Sequence, residues 1–396
     1  MPEVKSLIDS GNSTFLALGI GMVTLMIVGV IVLNSGLCKK SEAMNTWCNG
    51  LVISAIAILM WGIYGYNFAF NGVGKFFGNF SNLFLGNLKG SVTEDGIPEI
   101  LIAGFQLTFA VITPVIGFGG ILGRIKLLPL AFITLLWLTF SYCPIAYMSW
   151  ADNGFLLKLG VEDLAGGNVV HIPSGILCAV GLFFAGRRLK HRDVYAWNNS
   201  QALIGIGLLI VGWPFFNAVS VLAANGKAGM ALFVSLVAAA AGMVTWVIVN
   251  LIARQKTSVI GVATAAVGAL AGITPAAGVA GVPLAIGIGA ACSVGAWGLM
   301  HLFNDILDLD DTVDVIPAHL AGGIIGGLMT AFAFDNWISQ LGKQVVGVGT
   351  SIVWCSLVTV ACFYLAKLIF RDIKICSTVQ EKGTDETLHG ESAQQH

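Results

Sequence analysis

Two histidines, His171 and His319, stand in stretches otherwise made of side chains suited to lipid. His171 lies in Asn168-Val-Val-His-Ile-Pro-Ser-Gly175 and His319 in Asp314-Val-Ile-Pro-Ala-His-Leu-Ala-Gly-Gly323. An ionisable ring in hydrocarbon is costly, so such a residue faces a bundle interior or a pathway. Two neutral imidazoles can share one N–H···N hydrogen bond and set a polar line in an apolar channel. That line can exchange a proton with a passing amine but cannot replace the hydration shell of a full cation. Two other readings stand beside this one. The rings could be packing residues hydrogen-bonded to each other. They could also hold zinc, although two histidines without a further ligand make a poor zinc site.

The rest of the chain must bring these rings together. It has 396 residues, of which 56% are hydrophobic and 10% charged. A soluble domain carries roughly 25% charged residues, so the composition predicts an all-α integral membrane protein. The 50 glycines suit close approach of membrane helices. A net charge of -1 and the lack of a basic stripe argue against nucleic-acid binding. The eight cysteines form no CxxC pair, which argues against disulfides and thiolate metal sites. There is no HExxH motif and no phosphate-binding glycine loop, so the reading is not an enzyme and expects no metal, nucleotide or redox cofactor. Residues 1–13 lack the basic-then-apolar order of a signal peptide.

Windows of about 20 apolar residues give eleven candidate transmembrane helices: 14–37, 45–70, 98–122, 127–149, 168–186, 200–222, 228–253, 258–275, 281–303, 315–334 and 345–369. With the N-terminus outside, 14 of the 20 lysines and arginines fall inside, in line with the positive-inside rule. The first five helices (14–186) and the next five (200–334) form a 5+5 inverted repeat. Helix 345–369 is extra, 1–13 lies outside, and 371–396 is a polar cytoplasmic tail. Inverted repeats place a site near the midplane between the halves, and His171 and His319 each close one repeat.

At this point the residues resemble the ammonium transporter family (Amt, of the Amt/Mep/Rh group). The likeness runs from about residue 14 into the tail. It rests on Gly104-Phe-Gln-Leu-Thr-Phe109, Trp137-Leu-Thr-Phe-Ser-Tyr142 leading to Trp150, and Asp163-Leu-Ala-Gly-Gly-Asn-Val-Val-His171. Gly212-Trp-Pro-Phe-Phe-Asn-Ala-Val-Ser220, Ile273-Thr-Pro-Ala-Ala-Gly278 and the segment Asp314 to His319 extend it, as do Gly383-Thr-Asp385 and His389-Gly-Glu391 in the tail. The resemblance implies that Trp150, Phe109 and Ser220 form an outer cup for NH4+, with Asp163 supporting it as a helix cap. It implies a gate of stacked phenyl rings at Phe109 and Phe216, and a pore relay at His171 and His319. Without it, Trp150 reads as an interfacial anchor and the phenylalanines as packing. Asp314 reads as the counterpart of Asp163 on the inner side. The resemblance further implies a homotrimer in the cytoplasmic (inner) membrane, in contact with lipid. Ammonium or ammonia is the substrate, with methylammonium a candidate, and a PII-type signalling protein is the expected partner at the inner face.

The chain also departs from the family pattern. Helix 1 reads Gly29-Val-Ile-Val-Leu-Asn-Ser-Gly36, which bears on its packing. Pro173 is expected to kink the helix after His171. Pro214, Pro317 and the bulky Leu320 lie by the same path, and Leu320 is placed to narrow it. These changes keep open an alternative, an ammonium sensor of the same fold with little flux.

Overall fold

The computed structural model describes residues 8–189 and 196–394. Lys5, Lys190 and Arg192 of the charge argument lie outside them. The regular secondary structure of the described residues is helical, apart from two isolated β-bridges. Among the described residues, ten helices are long and apolar enough to cross a membrane. In chain order they are α1 (Ser10–Leu37), α2 (Lys40–Phe70), α3 (Glu99–Gly119), α4 (Leu127–Leu159, interrupted at 151–154), α5 (Gly167–Ala185), α6 (Asn199–Val219), α7 (Gly226–Ile252), α9 (Val282–His301), α10 (Ile316–Ala333) and α11 (Trp337–Phe370). Between α7 and α9 runs α8 (Val259–Ile273), apolar but only 15 residues long.

Helix starts follow local chemistry. Asp9, Asn198, Asn225, Ser258 and Asn336 each accept a hydrogen bond from the N–H three residues on, satisfying a donor with no partner in the first turn. Three starts come four or more residues before the expected windows, one of them α2, which begins at Lys40 rather than 45. The Asp9 cap begins α1 inside the segment 1–13. The Asn336 cap begins α11 eight residues before 345. That first stretch of α11 is polar, and two of its side chains, Gln340 and Gln344, turn into the protein. Buried Gln344 donates to Glu162 O at 2.9 Å and Gly327 O at 2.8 Å, and Gln340 donates to Gly160 O at 3.0 Å.

Small residues set the helix spacing. α1 lies along α6, where a Cβ at Gly29 would stand 2.9 Å from Gly205 O and one at Gly36 2.6 Å from Ala202 N. The glycines of the unusual helix-1 segment are therefore the contact itself. α8 and α10 meet even more closely: a Cβ at Gly326 would lie 1.9 Å from Gly272 O.

The chain after α11 folds back onto one end of the bundle. Lys126 N–H donates to Ile373 O and Ile375 N–H to Arg124 O, both at 2.9 Å. The short helix α12 (Ser377–Lys382) follows. Beyond it, the Asp385 carboxylate accepts from the N–H groups of Met44 and Asn45, at 3.0 and 2.9 Å, and so caps the first turns of α2. His389 Nε2 is 3.0 Å from Asn45 Oδ1. At the same end buried Arg124 donates to Gly186 O and Asp310 O, both at 2.9 Å, while Arg188 Nε donates to Asp310 Oδ1 at 2.9 Å.

The glycine contacts can be tested by thermal unfolding in detergent. Gly326→Ala drives a methyl group into the Gly272 backbone and is expected to cost about 1–3 kcal/mol. Gly342→Ala in α11 meets nothing within 4 Å and is expected to hold or raise stability, by up to about 1 kcal/mol. Equal melting temperatures for the two variants would contradict this account.

Candidate functional site

Three positions of α6, Trp213, Phe216 and Ser220, recur at helical spacing and so share one face. Phe109 of α3 meets that face. Its ring stacks on Phe216 with centroids 4.1 Å apart and planes 20° apart. Both rings are buried, so the stack leaves no open passage. Above it, Trp150, the residue before the interruption in α4, packs edge-to-face on Phe109 at 5.7 Å and 88°. The Trp150 indole N–H donates to Asp163 O at 2.8 Å, fixing its plane. Ser220 O–H donates to Phe216 O at 2.8 Å. That bond uses the hydroxyl proton and leaves the oxygen free to accept.

Below the stack come the histidines. His171 lies 6.3 Å from the Phe216 ring and 5.4 Å from the His319 ring. The two Nδ1 atoms are 3.3 Å apart, and both residues are buried. One Nδ1 must carry the proton and the other must accept it. His171 Nε2 is buried and has no partner among the described residues. His319 lines a narrow cavity of ≈ 30 Å³ together with Asn34, Ile206, Thr264 and Val313. That is about one water's share of liquid volume.

The backbone turns are wide at both rings. Gly167–His171 and Ile316–Leu320 are π-helical, a local widening often found at functional sites. His171 N–H reaches back five residues to Gly166 O at 3.1 Å. Gly166 has φ 107°, a conformation that suits glycine. Ahead of that turn, the Asp163 carboxylate accepts from the N–H groups of Gly166, Gly167 and Asn168 at 2.9, 2.7 and 2.8 Å. Burial pushes the Asp163 carboxyl up to about 6, against the pull of those three N–H groups. It is still ionised at neutral pH.

The counterpart of Asp163 is Asp311 rather than Asp314. Asp311 accepts from Ile316 N–H at 2.8 Å, five residues on, as Asp163 does from Asn168. Each also stands eight residues before its histidine. Asp314 instead takes a left-handed backbone with φ 56° and offers its carbonyl to Ala318 N–H.

The unusual residues are absorbed by packing. Leu320 is received by Gly175 of α5, where a Cβ would lie 2.4 Å from Leu320 Cβ. It joins the apolar cluster of Ile172, Ile176, Val348 and Cys355 and is not among the residues lining the cavity at His319. Pro317 is the second residue of α10, where a missing N–H is tolerated, and Pro173 follows directly on the π-helical turn Gly167–His171. α5 runs on as a helix through Pro173 to Ala185.

One residue had no role assigned from sequence. The Trp213 indole lies 5.1 Å from His171 and 6.1 Å from His319, nearly parallel to the latter at 11°. Its N–H is held by Thr274 Oγ1 at 2.9 Å, so it forms a rigid side wall for the pair. Its place three residues before Phe216 and seven before Ser220 was the available signal. No group of three or more metal-ligating side chains occurs among the described residues.

The model of the Ammonium Transporter Family matches residues 14–394. The chain is 32% identical to an ammonium transporter of Aquifex aeolicus, over 98% of this chain and 94% of that one. It is also 32% identical to an ammonium transporter of Bacillus subtilis, covering 97% and 98%. Its structure is similar to that of Mep2 from Saccharomyces cerevisiae, with a TM-score of 0.86 and 28% identity, covering 95% of this chain and 90% of Mep2. It shares its fold with a sensor Amt protein, with a TM-score of 0.89, 24% identity and coverage of 96% and 98%. A family match over nearly the whole length, on a bundle that brings two buried histidines together beneath stacked aromatic rings, makes this chain a member of the ammonium transporter family.

Proposed function

We propose that the chain moves ammonium across the cytoplasmic membrane as a channel-like transporter. The observation that carries this reading is one file of groups through the apolar core: Trp150, the Phe109–Phe216 stack, His171 and His319. NH4+ is drawn to the aromatic face of Trp150, an attraction of about 2 kcal/mol or more once desolvated. Ser220 accepts one of its N–H groups. Ionised Asp163, immediately behind Trp150, adds negative potential without touching the ion.

Past the stack an unpaired ammonium would cost many kcal/mol. The ion therefore gives up its proton there, to water at the outer mouth or to the His171–His319 relay. NH3 passes the two histidines and takes up a proton beyond them, from inner water or from that relay. Potassium has no proton to give up and is excluded. Trp213 keeps both rings in line.

The membrane frame of this proposal has eleven crossings. Helix α8 spans about 22 Å at 1.5 Å per residue, and the turns after it extend its reach. An odd number of crossings leaves the N-terminus outside and the basic end in the cytoplasm. The halves 14–186 and 200–334 then form the inverted repeat, with 345–369 outside it. Resemblance to the family supports a homotrimer, and a PII-type protein at the inner face beside the docked tail.

Two experiments test the reading. Purified protein in proteoliposomes on a solid-supported membrane should give an ammonium-evoked current that His171→Ala/His319→Ala abolishes or alters. A wild-type protein with no current but rapid internal alkalinisation in stopped flow would transport NH3 without charge. A protein with neither, yet still binding ammonium, would be a sensor, and the transport proposal would fall. The second test concerns the outer cup. Trp150→Ala should raise KM about tenfold, a loss of about 1.4 kcal/mol. Because the Asp163 carboxyl is charged above about 6 and neutral below it, KM in the wild type should rise as external pH falls through 6. Asp163→Asn should remove that dependence. An unchanged pH profile in a folded Asp163→Asn protein would rule out its part in recruitment.

A further inference from the structure

A groove opens on the outer surface between α5 and α11, at the end of the bundle that carries Arg124 and Arg188. Phe183, Phe184, Val360 and Tyr364 line its apolar part, and Lys367 and Lys374 its other part. It holds ≈ 800 Å³, including the portion open to the surroundings. Phe183 is 83% exposed and Tyr364 62%, so these rings face outward from the bundle.

The groove has a stiff wall. Phe184 stacks on buried Phe363 at 4.9 Å and 19°, and Tyr364 meets its edge at 5.1 Å and 89°. The Lys367 ammonium stands 5.9 Å over the Phe184 ring. Charges nearby are paired: Lys126 with Asp372 at 2.8 Å and Arg187 with Asp308 at 2.7 Å. Among the described residues, Lys367 and Lys374 are in no ion pair.

Two ammonium groups outside any ion pair of the described residues, beside an exposed apolar trough on a membrane helix, complement one class of molecule. Basic pockets between membrane helices recognise anionic headgroups, and an aromatic trough receives an acyl chain. We propose that this groove binds an anionic phospholipid, its phosphodiester held by Lys367 and Lys374 and an acyl chain laid along Phe183, Phe184 and Val360. On the orientation proposed above, the lipid comes from the inner leaflet.

Such a lipid would link two parts of the molecule. Lys374 lies against the end of α5, where a Cβ at Gly186 would be 3.3 Å from its Nζ. The next residue, Ile375, donates its N–H to Arg124 O. The lipid therefore joins the chain after α11 to the helix that carries His171.

The test is native mass spectrometry of the purified full-length protein, titrated with phosphatidylglycerol or with phosphatidylcholine of the same chains. The first lipid retained should favour phosphatidylglycerol. Lys367→Ala/Lys374→Ala should weaken that step about thirtyfold, at about fivefold per lysine, and leave phosphatidylcholine unchanged. Lys367→Arg/Lys374→Arg should keep the preference, and its melting temperature serves as the control for folding. Equal retention of the two lipids, or undiminished phosphatidylglycerol binding by the alanine variant, would overturn the site. Displacement of phosphatidylglycerol by an equal concentration of glycerol phosphate would also overturn it, because the groove would then be an anion pocket with no use for a chain.

Discussion

Lipid offers no hydrogen bonds, so every polar group at membrane depth must be answered by the protein itself. The architecture follows from that constraint. Backbone groups are satisfied within helices, and buried hydroxyls turn back on their own turns, as Thr113 does to Phe109 O at 2.6 Å and Thr274 to Leu270 O at 2.7 Å. The first residues of α5, whose N–H groups lack helical partners, are served by the Asp163 carboxylate. The Trp213 indole is served by Thr274. Among the described residues several buried side-chain atoms stay without a partner, and His171 Nε2 is the one that lies on the proposed path at the histidines. A buried nitrogen left open costs stability, and here it is the atom available to a passing molecule.

Much of this was legible in the sequence because hydrocarbon imposes a coarse rule. Apolar runs of the right length mark the helices, and the histidines stand out within them. What stayed hidden depends on contacts rather than composition. The start of α11 at Trp337 is polar, and it is tied to the bundle by buried Gln340 and Gln344, which reach Gly160, Glu162 and Gly327. The π-helical turns under both histidines have no propensity signal. Asp311 could have been found, since its spacing to His319 repeats that of Asp163 to His171. The nearer Asp314 drew the assignment instead. Leu320 looked like an obstruction because its partner, Gly175, lies 145 positions away in the chain.

The end of the bundle that carries Arg124 is built differently from the path. It is held by charge and by the returning tail, with Asp310 set between Arg124 and Arg188. Buried ion pairs of this kind add little net stability but penalise alternative arrangements, because losing one partner strands the other. The Asp385 carboxylate at the start of α2 acts similarly, as a cap supplied by a residue some 340 positions away. The tail is thus part of how α2 begins, and its release would leave the N–H groups of Met44 and Asn45 open.

The Nδ1-to-Nδ1 contact gives the histidine pair a direction. In the neutral pair one ring holds the shared proton on Nδ1 and exposes a bare Nε2, while the other exposes Nε2–H. A proton entering at the bare nitrogen can hop across the contact and leave from the far ring. The pair is then left with its polarity reversed, and a second proton cannot follow in the same sense until the rings reset. On the proposed path, such a unit would work as a turnstile rather than a wire, admitting one proton per reset however steep the gradient across it.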